Sequence, residues 1–352
     1  MQSLKQRIPD LLAWYRTVRR PLPFRESPTP YRVWVSEVML QQTRIEAALP
    51  YFERFMAALP AVADLAAVDE DRLLKLWEGL GYYSRVRNLQ KAARQIMELH
   101  GGELPADYEA LLALPGIGEY TAGAIASIAY GLPVPAVDGN VLRVFARLTA
   151  HRGDVLTPAV RRELRAVVCE VLPADAPGLF NEAVMELGET VCLPNAQPHC
   201  ADCPLQAVCA ARAQGIEAEL PTRATPKPRR IEQRTVVCVT TAEQPPRVWL
   251  RKRPATGLLA KLWEFPQLLG TLSPQQAAEA FELIPLAVEE LPAAKHVFSH
   301  LEWHMTGVHL TVPPFTPPAG TVLVTAEEQQ HSHALPGAFA PYTALLADWL
   351  KP

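Results

Sequence analysis

Four cysteines lie close together at Cys192, Cys200, Cys203 and Cys209. Their C-x7-C-x2-C-x5-C spacing lets four thiolates converge on one metal centre. Two kinds of centre suit this ligand set, a structural zinc ion and a [4Fe–4S] cluster. Zinc ribbons pair two C-x2-C turns and this sequence has one, so the spacing favours iron–sulfur and leaves zinc open.

A second chemical feature is the segment LPGIGEYTAG at residues 114–123, in which Gly116 and Gly118 stand between two helical patterns. Glycines allow positive φ and a close approach of the backbone. The N-terminus of the helix that follows attracts a phosphate group. The same pattern also suits a tight helix–helix turn that needs glycine for steric reasons alone, and the segment by itself does not decide between them.

Asp138 stands in VPAVDGNVLRVFAR, where a helix is predicted to begin. An aspartate in this position is ordinarily an N-cap. It could also be a reactive carboxylate. In that case the helix dipole is expected to lower its pKa and keep it ionised.

Taken in order along the chain, the glycine turn, the Asp138 segment and the cysteine loop resemble the helix–hairpin–helix DNA glycosylases that carry an iron–sulfur cluster. SEVMLQQTR at 36–44 and WEGLGYYSRVRNL at 77–89 resemble, more narrowly, the adenine DNA glycosylases (the MutY family). KHVFSHLEWHM at 295–305 agrees with this resemblance. It covers nearly the whole chain, and it implies removal of adenine opposite 8-oxoguanine or guanine in double-stranded DNA.

The resemblance implies two carboxyl groups with opposite tasks. Glu37 matches the acid that protonates the adenine, a task that suits a glutamate whose pKa is raised by burial. Asp138 matches the ionised carboxylate that stabilises the positive charge on the sugar. Asn140 matches a partner of this aspartate, and Glu182 matches a further acidic residue near the pocket.

Tyr120 distinguishes two reactions within the resemblance. The related endonuclease III enzymes have a lysine at the matching position, which attacks the sugar as a Schiff-base nucleophile and permits strand cleavage. Tyrosine cannot form a Schiff base, so the resemblance implies a monofunctional enzyme that uses water. The alternatives are an endonuclease III-like glycosylase and lyase, or a lesion-binding protein without catalysis.

The resemblance also implies the residues that contact DNA. Gln42 and Tyr82 match the wedge that enters the duplex when adenine leaves the stack. Arg25 and Arg85 match phosphate contacts, and Gly116 and Gly118 form the glycine turn. Phe298, Ser299 and His300 match a loop that recognises 8-oxoguanine.

The cysteine loop departs from the family by one residue. Seven residues, 193–199, separate Cys192 from Cys200, where the family usually has six. All four ligands remain, and the resemblance implies a [4Fe–4S] cluster that shapes a DNA-contacting loop.

The elements that must position these residues fall into two domains. Helical spacing dominates residues 1–217, including one apolar pattern over 29–59, and predicts an all-α domain. Proline and basic residues at 218–233 predict an interdomain linker. Strand-like alternation from 234 to 352 predicts an α+β domain, which resembles the Nudix-like module that recognises 8-oxoguanine. Its sequence lacks the glutamate-rich helix of a working Nudix hydrolase, so no nucleotide hydrolysis is expected.

Composition restricts the remaining possibilities. The net charge of −3 gives no general attraction to nucleic acid, so DNA contacts must come from local groups. No apolar run is long enough to span a membrane, and the N-terminal residues lack the apolar core of a secretory signal. We therefore expect a reducing cytoplasm, or a nucleus if the source has one; assuming a prokaryotic source, the protein associates with the nucleoid when bound to DNA. We also expect a monomer.

Overall fold

The computed structural model describes residues 2–194, 196–225 and 228–351. They divide into two compact units, one comprising Met1–Ala67 and Arg87–Thr225, the other Val68–Val86 and Pro226–Pro352. In this described part of the chain, no helix has both the length and the apolar character needed to cross a membrane.

The first unit is helical, as predicted. The helices before the first strand are α1 Gln2–Gln6, α2 Ile8–Val18, α3 Pro23–Glu26, α4 Pro30–Leu40, α5 Ile45–Ala58, α6 Val62–Ala67, α7 Glu70–Leu76, α8 Ser84–Leu99, α9 Tyr108–Leu112, α10 Glu119–Ala124, α11 Gly139–Leu148, α12 Pro158–Val171, α13 Pro177–Thr190 and α14 Ala210–Gln214. A π-helical turn, Ile125–Ala129, continues α10. Of these helices, α7 and residues 84–86 of α8 belong to the second unit.

A hydrophobic core of this unit lies where α2, α11, α12 and α13 meet. Leu11, Phe145 and Phe180 are fully buried there. Burial of aromatic and aliphatic side chains on this scale is the main stabilising contribution to such a domain. It also holds α11, and with it Asp138, in one position.

The apolar pattern over 29–59 forms two helices rather than one. Thr29 caps α4 by accepting a hydrogen bond from the backbone N–H of Arg32. The chain then breaks at Gln42, whose φ of 59° is left-handed, before α5 begins. The sequence contains no glycine or proline at this break, which is why helical spacing alone did not reveal it.

The second unit is α+β, again as predicted. Its strands are β1 Arg230–Thr241, β2 Val248–Lys252, β3 Trp263–Glu264, β4 Gln267–Leu269, β5 Ala287–Val297, β6 Leu301–Val312 and β7 Thr321–Val324. Its helices after β4 are α15 Pro274–Ala280, between β4 and β5, and α16 Ala326–Ser332, α17 Ala340–Thr343 and α18 Leu346–Trp349, which follow β7.

These strands form one sheet in the order β3-β2-β1-β6-β5, with β4 also paired to β1 and β7 to β2. Strands β1 and β6 are parallel, and β5 and β6 are antiparallel. Alternate residues of β1 face opposite sides: Val237 packs in a core with α15, and Cys238 packs in a core with α17 and α18. This period of two explains the strand pattern of the sequence.

The division of the chain differs from the predicted domains in two places. Residues 68–86 belong to the second unit, where Asp71 pairs with Lys252 at 2.8 Å and Glu70 with Lys261 at 2.8 Å. The segment predicted as a linker, 218–233, is partly folded, because Leu220 is buried in the first unit and β1 already begins at Arg230. Two of its residues, 226 and 227, lie outside the described residues.

Candidate active site

A cavity of about 1250 Å³ in the helical unit gathers the predicted reactive groups. Its lining includes Glu37, Tyr120, Asp138, Asn140 and Glu182. They come from α4, α10, α11 and α13, or from the residue that caps α11. Residues separated by as much as 145 positions in the chain thus meet in one depression, since helix packing and not local sequence brings them together.

Glu37 is buried because α4 is enclosed on nearly all sides. Only 8% of the residue is exposed, and its neighbours Val35, Val38 and Met39 are buried with it. The Tyr120 hydroxyl donates a hydrogen bond to Glu37 Oε2. Burial raises the pKa of Glu37 to about 7, and the carboxylates of Asp138 and Glu182 also raise it, against the Tyr120 bond.

Tyr120 itself stays protonated at neutral pH. Burial and the nearby carboxylates of Glu37 and Asp138 raise its pKa well above the ordinary value. Its hydroxyl therefore remains a donor, and it also approaches Met185 Sδ at 3.4 Å. A permanently protonated phenol fixes the orientation of the carboxyl group that it binds.

Asp138 is the N-cap of α11, as predicted. Its Oδ1 accepts the Val141 backbone N–H at 2.7 Å, and its Oδ2 accepts the Asn140 side-chain amide at 3.0 Å. The expected lowering of its pKa by the helix dipole is wrong in direction. Burial raises the pKa of Asp138 above its ordinary value, although these hydrogen bonds and Arg143 oppose the rise.

A chain of hydrogen bonds extends from Asp138 towards the cysteine loop. Asn140, which bonds Asp138, accepts from Arg143 Nη2 at 2.7 Å through Oδ1. Arg143 Nε donates to the Cys192 carbonyl at 2.8 Å, and Nη2 also donates to the Gly188 carbonyl at 2.7 Å. One helix turn later, Arg147 Nη1 lies 3.2 Å from Cys192 Sγ. The sequence did not reveal this connection, because it joins residues 45 and 49 positions apart.

Glu182 is not solvated at the helix surface but belongs to a buried network. Its Oε2 accepts from the Tyr15 hydroxyl at 3.1 Å, and Arg25 Nε lies 3.8 Å from its Oε1. Arg25 Nη2 pairs with Glu186 at 2.8 Å, and Glu186 also accepts from Arg20 Nε at 2.6 Å. Sequence reasoning missed Tyr15 and Glu186, since nothing in their local patterns marks them as polar groups in a core.

Two arginines predicted to contact phosphate have guanidinium groups that are bonded to other groups of the protein. Arg25 is 9% exposed and engaged with the carboxylates of Glu182 and Glu186. Arg85 is also 9% exposed and donates from Nη2 to the carbonyls of Leu80 and Gly81. We therefore correct these two assignments, since neither guanidinium group is presented to a phosphate at the surface.

Arg85 instead supports the loop that carries Tyr82. Its guanidinium group lies over the rings of Trp77 and Tyr82, at 5.3 Å and 5.7 Å from their centroids. Tyr82 has a left-handed φ of 46° and is 48% exposed. A large aromatic residue held exposed in a strained conformation is typical of a functional position.

The two glycines of the hairpin turn have different requirements. Gly116 has a φ of 76°, and a Cβ there would lie 2.6 Å from the Cβ of Asn88. Gly118 has an ordinary φ of −96° at the start of α10, and a Cβ there would meet nothing within 4 Å. Gly116 is required because a side chain there would clash with Asn88. Gly118 has no such steric requirement, and its backbone is exposed at the turn.

The predicted recognition loop is the tight turn between β5 and β6. The Phe298 N–H donates to the Leu301 carbonyl at 2.8 Å and closes the turn. Phe298 is half-buried against Trp303, whereas Ser299 and His300 are exposed at the tip. Within this same unit, Ser299 Oγ lies 3.3 Å from the Tyr82 hydroxyl. Phe298 therefore anchors the turn, and Ser299 and His300 lie exposed at its tip.

The four clustered cysteines are free thiols that line one small cavity. Burial raises the pKa of Cys200, Cys203 and Cys209, and nearby cysteines add to the rise. Backbone N–H groups face Cys203 and Cys209, as they would face thiolate ligands. Among the described residues, no three His, Cys, Asp or Glu side chains are arranged to hold a single metal ion. The donor set nevertheless fits a group that binds four thiolates.

Both units match known families. The family described as HhH-GPD superfamily base excision DNA repair protein matches residues 35–169. The family described as NUDIX domain matches residues 236–345.

Similar proteins cover most of the chain. A mouse adenine DNA glycosylase is 36% identical over 91% of this chain and 74% of its own length. The human adenine DNA glycosylase is 36% identical over 91% of this chain and 70% of its own length. An adenine DNA glycosylase of Buchnera aphidicola is 30% identical over 86% of each chain.

Solved structures agree on the fold of the helical unit. A thermostable thymine-DNA glycosylase is similar with a TM-score of 0.55 and 23% identity, over 60% of this chain and 98% of its own. An endonuclease III bound to DNA is similar with a TM-score of 0.53 and 24% identity, over 61% of this chain and 98% of its own.

The raised pKa of Glu37 predicts a dependence of stability on pH. Between the ordinary pKa of 4.5 and about 7, the folded protein holds a proton that the unfolded chain releases. The contribution of Glu37 to the free energy of unfolding therefore falls as pH rises through this range, by at most about 1.4 kcal/mol per pH unit. Urea unfolding of the wild type and Glu37→Gln across this range should show the free energy of unfolding of the wild type falling relative to that of the variant as pH rises. A constant difference would contradict the raised pKa.

Proposed function

The chain belongs to the adenine DNA glycosylases of base excision repair, and from this membership we propose that Glu37 and Asp138 divide the chemistry of adenine release between them. The observation that carries the proposal is their placement in one cavity, with Glu37 buried and bonded to Tyr120. The resemblance in sequence assigns the same two positions to the acid and to the stabilising carboxylate.

Glu37 acts as the general acid. A pKa of about 7 leaves a large fraction of this carboxyl group protonated at neutral pH. Because Oε2 accepts the Tyr120 bond, Oε1 carries the transferable proton. Donation of this proton to N7 makes adenine a better leaving group, and Glu37 is left as a carboxylate.

Asp138 stabilises the sugar after the N-glycosidic bond weakens. Its two oxygens accept hydrogen bonds from Val141 and Asn140, which favour the ionised form against the effect of burial. An ionised carboxylate beside the sugar offsets the positive charge of the oxocarbenium ion. Asn140 fixes the carboxylate, and Glu182 completes the acidic side of the pocket.

The reaction is hydrolysis without strand cleavage. A glycosylase that also cuts the strand needs an amine that forms a Schiff base with the sugar. Tyr120 has no amine, and its raised pKa keeps the phenol protonated. Water is therefore the nucleophile that completes base release.

The substrate is double-stranded DNA that contains adenine opposite 8-oxoguanine or guanine, bound by a monomer. The hairpin turn with Gly116 and Gly118 meets the backbone of the strand, and the exposed Gln42 and Tyr82 enter the duplex when the adenine leaves the stack. Ser299 and His300, at the tip of the β5–β6 turn, meet the oxidised guanine. The Ser299 hydroxyl is suited to the N7–H and O8 edge that distinguishes 8-oxoguanine from guanine.

Cys192, Cys200, Cys203 and Cys209 hold a [4Fe–4S] cluster. When bound, the cluster cross-links the loop as four thiolates on one inorganic group. Clustered cysteines in a reducing compartment serve as metal ligands rather than as disulfides. Assuming a prokaryotic source, we therefore place the protein in the cytoplasm, associated with the nucleoid when bound to DNA.

Iron and sulfide analysis of protein purified without oxygen tests the cluster. We expect about four iron and four sulfide per chain, a broad visible absorbance, and loss of both in Cys203→Ser. The matched control is Cys238→Ser, which alters a cysteine of the sheet. Bound zinc without sulfide would overturn the assignment.

Asp138→Asn tests the division of labour. Asparagine also caps helices, so α11 should persist while base release slows by about a hundredfold or more, because the sugar cation loses its counter-charge. Single-turnover release of adenine and binding of a duplex with A opposite 8-oxoguanine measure the two effects separately.

The control is Asp107→Asn, which changes an exposed N-cap that accepts from Ala110 at 2.8 Å. It should release adenine at the wild-type rate. Near wild-type release by Asp138→Asn would show that the carboxylate is not needed, and strand cleavage by the wild type would show that the reaction is not simple hydrolysis.

Ser299→Ala tests recognition of the oxidised base. We expect the preference for A opposite 8-oxoguanine over A opposite G to weaken several-fold, since one hydrogen bond is lost. Tyr82→Phe is the comparison variant, since it retains the ring but removes the other hydroxyl of the Tyr82–Ser299 pair. Ser332→Ala, on α16, is the control. An unchanged preference in Ser299→Ala would remove Ser299 from recognition.

A further inference from the structure

A second cavity of the helical unit lies beside the cysteine loop and has no assigned role. Its volume is about 390 Å³, within the range of small-ligand sites. Three of its lining residues are Arg143, Arg147 and Arg223, and the described lining includes no acidic residue. We call it the arginine pocket. Guanidinium groups gathered without a carboxylate indicate a site for an anion.

Two of these arginines are fixed in place. Arg143 and Arg147 are 4% and 3% exposed. In each side chain, Nε and one of the two terminal nitrogens donate hydrogen bonds to backbone carbonyls. Among the described residues, no acceptor bonds Nη1 of Arg143 or Nη2 of Arg147. The guanidinium groups of Arg143, Arg147 and Arg223 line the same cavity and repel one another, and a bound anion would relieve this repulsion.

The third arginine connects the pocket to the reaction. Arg223 is exposed and lines both the arginine pocket and the catalytic cavity that contains Asp138. A strand whose nucleotide occupies the catalytic cavity carries further phosphates a few ångströms away along its backbone. The cysteine loop at 193–199 contains no lysine or arginine, so positive charge beside it must come from elsewhere.

We propose that the arginine pocket binds a phosphodiester group of the DNA strand whose adenosine enters the catalytic cavity. Arg223 reaches the phosphate from the surface, and Arg143 and Arg147 supply the buried positive charge behind it. Arginine suits this task because its planar donors match phosphate oxygens. The inference rests on the proposed function only in taking DNA as the occupant of the catalytic cavity.

The test is the salt dependence of DNA binding by the full-length protein with its cluster. The probe is a duplex with A opposite 8-oxoguanine, whose adenosine carries a 2′-fluorine that prevents cleavage. Loss of one phosphate contact lowers the slope of log K against log salt concentration by about 0.9. We expect this loss in Arg223→Gln and a larger one in Arg223→Glu. The control is Arg152→Gln, since Arg152 is exposed, pairs with Glu219 at 3.7 Å and lines neither cavity.

A second measurement separates a DNA phosphate from a free one. Thermal unfolding is followed with added inorganic phosphate for the wild type and Arg223→Gln. A wild-type slope in Arg223→Gln would overturn the proposal, and an accompanying stabilisation of the wild type by phosphate would assign the pocket to a free anion instead. Adenine release by the wild type is scored separately, so failure of the proposed function is distinguishable from failure of this inference.

Discussion

The hydrogen-bonded start of α11 is the interaction on which the rest of the helical unit depends. Asp138 caps the start of this helix, and the same residue lines the cavity that also contains Glu37. Arg143 and Arg147, four residues apart on the same helix, bond the carbonyls of the cysteine loop. The position of a single helix therefore fixes the reactive carboxylate, the loop and the arginine pocket together.

Burial of several acids in one cavity is the second constraint. Burial raises the pKa of Glu37, Asp138 and Glu182, and the carboxylates of Asp138 and Glu182 raise that of Glu37 further. The neutral hydroxyl of Tyr120 donates to Glu37, whereas Asp138 accepts from two neutral donors and lies near an arginine. In the proposed division of labour, the additional donors favour the ionised form of Asp138.

The organisation into an α domain and an α+β domain followed from composition and from the spacing of apolar residues. Buried apolar residues recur at one spacing in helices and at another in strands. The break at Gln42 did not follow, since no glycine or proline marks it. Arg25 and Arg85 were predicted to contact phosphate, yet the fold surrounds them with carboxylates or carbonyls. The membership of residues 68–86 in the second unit likewise depends on ion pairs between distant residues.

The sequence by itself determined which chemical groups the protein has: two carboxylates, a tyrosine where a lyase has lysine, and four cysteines in one loop. Local pattern also determined that Asp138 would cap a helix. Only the tertiary structure decided the protonation of Glu37, the direction of the Asp138 pKa and the convergence of three arginines. These properties depend on excluded water and on charges that are close in space but far apart along the chain.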